Sequence, residues 1–102
     1  MDRAHLKTTV EVDFIGVLGR VADRETVFLQ FDENPRVKDV IQRLTKCFPP
    51  SFKQALIDPE LSDPRPNVVL LLNKKEISVL EGIETLVHDG DKLVLIPVSH
   101  GG

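Results

Sequence analysis

The chain has no tryptophan and no tyrosine, and only one cysteine and one methionine among its 102 residues. A lone cysteine, Cys47, excludes an intrachain disulfide and any metal or iron–sulfur cage built from cysteines. Without a cysteine partner, Cys47 is expected to be a small buried hydrophobe at the end of a helix. No apolar run approaches the ~20 residues that a membrane-spanning helix needs. Residues 1–7 have no apolar core of the signal-peptide kind. A cytoplasmic protein with no membrane partner is expected. Positive charge is not in excess: 13 Lys and Arg against 16 Asp and Glu leave a net charge of −3. The basic stripe of a nucleic-acid binder is therefore missing, and no direct contact with nucleic acid is expected. His5 and His88 give no metal-ligand spacing, so no metal site is expected. No nucleophile–base pair and no phosphate loop is evident, so the chain is expected not to be an enzyme. Asn, Gln, Cys and Met are all sparse, a composition that points toward a thermophile.

What is present is an ordinary globular balance, 41% hydrophobic and 28% charged, at a length that fits one domain. From Thr8 the pattern alternates, with Val10, Val12 and Phe14 apolar and Thr9, Glu11 and Asp13 polar, as in a half-buried strand. Gly16 and Gly19 break it, and residues 16–24 read as a connecting turn. Val27, Leu29 and Phe31 repeat the alternation, which makes an antiparallel hairpin with the first run. The period then changes. Asn34 reads as an N-cap and Pro35 as the first helical residue. Val37, Val40, Ile41, Leu44 and Phe48 line one face of an amphipathic helix that ends at Pro49-Pro50. A second short helical turn is expected over residues 51–57. The proline-rich residues 58–66 form a loop, in which Asp58, Glu60 and Asp63 read as solvated.

The last third is strand-rich. Residues 68–72 are a continuous apolar run, Asn73-Lys74 is a tight-turn candidate, and residues 75–77 make a short return strand. A connecting segment with one helical turn over residues 81–87 leads to the Asp89-Gly90-Asp91 turn and a final strand over residues 92–97. The order β-β-α-(short helix)-β-β-β places one long helix on a mixed sheet with its first and last strands side by side. That is an α+β, β-grasp (ubiquitin-like) architecture, with a four- to five-stranded sheet. The expected boundaries are a flexible leader over 1–7, the domain over 8–97 and a flexible tail over 98–102.

The tail ends Ser99-His100-Gly101-Gly102. Glycine lacks Cβ, so such a terminus is thin and its carboxylate is open from every side. By themselves the two glycines favour an ordinary inert terminus over a reactive one. The wider pattern decides between them. A strand ending Leu-Leu-Leu-Asn, a short return strand, Asp-Gly-Asp before the last strand and a terminal Gly-Gly together resemble the ubiquitin-like sulfur carriers and small modifiers. This family includes the small subunit of molybdopterin synthase, the thiamine sulfur carrier, the ubiquitin-related modifier and the archaeal small modifiers. The resemblance covers nearly the whole chain. Its single proline before the tail, Pro97, departs from the paired prolines of the molybdopterin-synthase subunit. The ending is more similar to the ubiquitin-related modifier, and an archaeal source is expected.

The resemblance implies that Gly102 is adenylated by a ubiquitin-type activating enzyme. It is then converted to a thiocarboxylate or joined to lysines by isopeptide bonds, with Gly101 and His100 threading the enzyme. It implies no bound cofactor, since ATP and Mg²⁺ belong to the partner enzyme. Further partners are a sulfur-accepting enzyme in transfer-RNA thiolation or molybdopterin synthesis, target-protein lysines, and the proteasome; the chain itself is expected to be a monomer. Because the chain ends at Gly102, no protease is needed to expose the tail. Counting back from Gly102, the resemblance sets Leu93 and Leu95 in register with the core-facing positions of the ubiquitin-like fold, and Val94 and Ile96 are then expected to face the other way. Leu71 shares that second face, so Leu71, Val94 and Ile96 are the candidate partner-binding patch. The second reading is a non-covalent β-grasp adaptor with an inert tail.

Overall fold

The computed structural model describes residues 7–98. Five strands form one mixed sheet: β1 (Thr8–Phe14), β2 (Thr26–Phe31), β3 (Val68–Leu72), β4 (Lys75–Glu76) and β5 (Lys92–Pro97), in the order β2-β1-β5-β3-β4. β1 pairs with β2 antiparallel and with β5 parallel, while β3 pairs antiparallel with both β5 and β4. The first and last strands therefore sit side by side, as the order of the elements predicts, and the fold is the β-grasp.

Side-chain alternation divides the sheet into two faces. Val10, Val12, Phe14, Val27, Leu29, Phe31, Leu70, Leu72, Leu93 and Leu95 turn to one face and are almost fully buried. The main helix, α2 (Val37–Cys47), closes that face with Val37, Val40, Ile41 and Leu44, all within the same hydrophobic cluster. Phe14, Phe48 and Phe52 seal one end of the core with ring centroids 4.9–5.6 Å apart.

Four local features depart from the sequence reading. Residues 16–24 are not a plain turn: they hold a short helix, α1 (Val17–Ala22), with Leu18 and Ala22 buried one turn apart. Gly16 masked it. Its φ of +64° with ψ −133° is open only to glycine, and it lets the chain turn from β1 straight into a helix. The main helix starts two residues late. Pro35 O accepts the Val87 N–H at 2.8 Å and Thr85 O accepts the Val37 N–H at 2.9 Å, so residues 35–36 are held extended. The cap is Arg36, whose N–H donates to Asp39 Oδ2 at 2.8 Å; Asn34 instead accepts the Thr8 hydroxyl at 2.7 Å. The return strand is only two residues long, because Ile77–Val79 winds into a 3-10 turn, with a second over Gly82–Glu84. Cys47 is exposed rather than buried, since it ends the helix one position away from the apolar stripe.

The other elements agree with the reading. α3 (Pro50–Leu56) buries Phe52 and Leu56. Asn73 and Lys74 both have positive φ, 50° and 74°, and close a two-residue hairpin between Leu72 and Lys75. No helix among the described residues is long and apolar enough to cross a membrane.

The proline-rich loop is more ordered than its composition suggests. Asp58 Oδ1 accepts the N–H groups of Glu60 and Leu61, and Asp58 N–H donates to Asp63 O at 2.9 Å. Asp63 accepts from the backbone and guanidinium of Arg65, which holds its carboxyl below the ordinary value of 3.8. A carboxyl whose folded pKa is depressed adds stability above its unfolded pKa and loses it as pH falls through the folded one. Asp63→Asn should therefore lower the thermal midpoint at neutral pH, and the gap from wild type should close as pH is taken well below 3.8. Paired calorimetric scans across that range measure it.

Candidate functional site

β5 is held on both sides. Leu93 and Leu95 have 0% exposure, while Val94 and Ile96 on the other face are half-buried. Pairing runs past the strand, since Val98 N–H donates to Asn67 O at 3.0 Å. The sequence-predicted residues His100, Gly101 and Gly102 lie outside the described residues.

The register assembles the predicted patch. Val94 pairs with Leu71 and Ile96 with Val69 across β3, so Leu71, Val94 and Ile96 share the outer face. Each is partly exposed, neither buried on both faces nor isolated. Two residues missed by the sequence reading extend the strip. Val69 belongs by simple alternation along β3. Ile15 follows the odd-numbered side of β1 beyond Phe14, is 46% exposed, and donates its N–H to Leu95 O at 3.1 Å. The signal was available: Ile15 continues the series Glu11, Asp13, one residue before the expected turn over residues 16–24.

The opposite end of this face is charged. Lys92 Nζ stands 3.5 Å from Glu11 Oε2 and 3.7 Å from Asp13 Oδ2. Exposed pairs of this kind contribute little stability, about 0–1 kcal/mol. Their effect is to make the face polar at the start of β5 and apolar where β5 leaves the sheet.

The start of β5 is fixed by the Asp89-Gly90-Asp91 turn. Gly90, at φ +87°, donates to Thr9 O at 2.9 Å, and Asp89 Oδ1 accepts the Thr9 N–H at 2.8 Å. Asp91 Oδ2 accepts the His88 N–H at 2.7 Å and Oδ1 accepts from Asn73 Nδ2 at 2.9 Å. Asn73 Oδ1 in turn accepts the Lys92 N–H at 3.0 Å. Asp91 thus ties the turn before β5 to the β3–β4 hairpin, and the register of the outer strip follows from it. These acidic residues shape the backbone. Among the described residues no group of three or more His, Cys, Asp or Glu is placed to hold a metal ion.

Residues 9–102 match the family model described as Urm1, ubiquitin related modifier. The chain belongs to that family. A curated relative, small archaeal modifier protein 3 of Haloferax volcanii, is 26% identical over 93 residues, covering 91% of this chain and 98% of the relative. The solution structure of small archaeal modifier protein 1 from Methanosarcina acetivorans superposes with a TM-score of 0.78 at 27% identity, over 95% of this chain and 99% of that one. The solution structure of Urm1 from Trypanosoma brucei gives 0.75 at 23% identity, over 94% and 97%, and shows the same fold.

Replacing Asp91 with alanine removes acceptors from the His88 N–H and the Asn73 amide together. The expected cost is about 1–3 kcal/mol. It should appear as a lower urea midpoint with an unchanged slope.

Proposed function

We infer that this Urm1-family chain is a ubiquitin-like sulfur carrier and protein modifier with Gly102 as its reactive residue. The observation that carries the reading is the family match over residues 9–102, which includes the Gly101-Gly102 terminus. The outer strip of Leu71, Val94 and Ile96, beside the point where β5 leaves the sheet, supports it as a docking face for an activating enzyme.

In this reading a carboxylate oxygen of Gly102 attacks the α-phosphorus of ATP. A P–O bond to pyrophosphate breaks as the acyl-phosphate bond forms. ATP and Mg²⁺ are held by the activating enzyme, and this chain contributes the acyl group and the surface that presents it. A sulfide-level nucleophile then attacks the Gly102 carbonyl carbon and expels AMP, leaving a thiocarboxylate. A lysine amine attacking the same carbon leaves an isopeptide bond instead. The thiocarboxylate would serve transfer-RNA thiolation or molybdopterin synthesis, through a sulfur-accepting enzyme. Conjugated proteins would be the modifier's products, with the proteasome as their destination. The catalyst is the partner enzyme, in the cytoplasm, and this chain acts as a monomeric substrate.

The test is ATP–pyrophosphate exchange with the ubiquitin-type activating enzyme of the same organism. Exchange should require this chain, vanish on deletion of Gly101-Gly102, and persist in Val94→Glu only at a concentration raised roughly tenfold, the loss expected when an interface anchor becomes charged. Normal exchange by folded Val94→Glu would remove the docking face from the account. No exchange with wild type, and no effect of the deletion, would favour the non-covalent adaptor.

A further inference from the structure

On the helix side of the sheet, one groove of this acidic chain gathers cations. It has a volume of ≈ 430 Å³ and lies between α2, the end of α3, the proline-rich loop and the Gly82–Glu84 turn. That volume is in the range of ligand-binding clefts. Every charged residue that lines it is a lysine: Lys38, Lys46 and Lys53. Its apolar lining is Ile41, Ile57, Pro64 and Ile83, all buried or half-buried.

The acids nearby are engaged elsewhere. Glu84 holds Lys38 at 3.0 Å. Asp39 accepts the Arg36 N–H at 2.8 Å, Asp58 accepts the N–H groups of Glu60 and Leu61, and Asp63 pairs with Arg65 at 2.6 Å. Glu60 and Glu81 do not line the groove. Among the described residues, Lys46 and Lys53 have no ion pair. Each lies in the last turn of its helix, where a cation complements the helix dipole, and that role leaves both ammonium groups without a carboxylate. Lys38 and Lys46 stand about 12 Å apart along α2. The groove is thus neutralised at the start of α2 and positive near its end.

Gln42 and Ser62 add an amide and a hydroxyl to the rim, with no side-chain partner among the described residues. No arginine and no aromatic ring lines the groove, so it lacks the stacking surfaces that nucleic-acid bases use. We propose that this groove binds a short segment of a partner protein in which aliphatic residues lead into acidic ones. The aliphatic side chains cover Ile41, Ile57, Pro64 and Ile83, and the carboxylates meet Lys46 and Lys53. Gln42 and Ser62 take up backbone polar groups of the segment, which a bare hydrocarbon anion does not have. Charge steers the encounter, and burial of the aliphatic part supplies affinity. A second copy of this chain fits worse. Its own run of this composition, Val79-Leu80-Glu81, is wound into a turn in which the Leu80 N–H donates to Ile77 O at 2.9 Å.

The sheet separates this groove from Leu71, Val94 and Ile96 on its outer face, and neither Gly102 nor an activating enzyme takes part in it. The test is therefore independent of the function proposed above. Isotope-labelled full-length chain is titrated with the acetylated, amidated peptide Val-Ser-Ile-Glu-Glu and followed by amide NMR. Saturable shifts are expected at Gln42, Lys46, Lys53, Ile57, Ser62 and Ile83. Lys46→Glu with Lys53→Glu should weaken binding about tenfold or more, and the same double variant should gain affinity for Val-Ser-Ile-Lys-Lys. If that variant does not fold, Lys46→Gln with Lys53→Gln carries the result. Replacing the valine and isoleucine of the peptide with serine should also weaken binding about tenfold or more. Equal binding of the lysine-ended peptide by wild type, shifts confined to Val94 and Ile96, or no shifts at all would each overturn the proposal. So would octanoate or inorganic phosphate binding the same residues as tightly as the peptide, or shifts there that follow protein concentration without peptide.

Discussion

The parallel pairing of β1 with β5 is the constraint on which the rest of the structure depends. It joins residues 11–14 to residues 92–95, so it forms only when nearly the whole domain has been brought together. Such a long closure is costly in chain entropy and is offset by burial on the core face. Val12, Leu93 and Leu95 sit at that junction with no exposure, and each fully buried side chain of this size contributes about 1.5–3 kcal/mol. With β1 and β3 both paired to it, β5 has no free edge. The last strand of the chain is thereby held on both sides, and whatever follows Val98 is attached to the middle of the sheet.

That arrangement separates the duties of the surface. α2 covers the inner face together with Leu18 of α1 and Phe52 and Leu56 of α3, and its apolar stripe lies in the core. The outer face keeps its own polarity, with Glu11, Asp13 and Lys92 at one end and Ile15, Val94, Ile96 and Leu71 at the other. The two remaining edges differ in the same spirit: β4 is short and charged, whereas β2 is long, uncharged and partly covered by Arg43.

Much of this was legible in the residues because the periods are clean. Alternation in residues 8–14 and 26–31, apolar runs over residues 68–72 and 93–96, a 3.6-residue stripe from Val37 to Leu44, Asn73-Lys74 at the hairpin and the order of these elements pointed to the topology. Val94 and Ile96 fall on the outer face because side-chain period two leaves no other choice once Leu93 and Leu95 are inward, and the pairing of Leu71 with Val94 puts Leu71 beside them. What the residues hid was tertiary. The late start of α2 depends on hydrogen bonds to residues 85–87, fifty positions away in sequence. α1 was hidden by two glycines that read as breakers, although Gly16 is its entry and Gly19 lies within it. The exposure of Cys47 follows from its place on the helix circumference, which a statistical preference for buried cysteine does not see. Asp58 and Asp63 look like solvated acids in a list of residues, and act as backbone acceptors once the loop closes.

The central claim is that a well-held β5 presents one reactive carbonyl carbon, that of Gly102. The most direct measurement is the intact mass of the full-length chain after incubation with ATP, Mg²⁺, sulfide and the activating enzyme, with fragment ions to place any change. The account predicts exchange of one oxygen for one sulfur, confined to Gly102 and absent without ATP. An unchanged mass, or sulfur found on Cys47 instead, would contradict it.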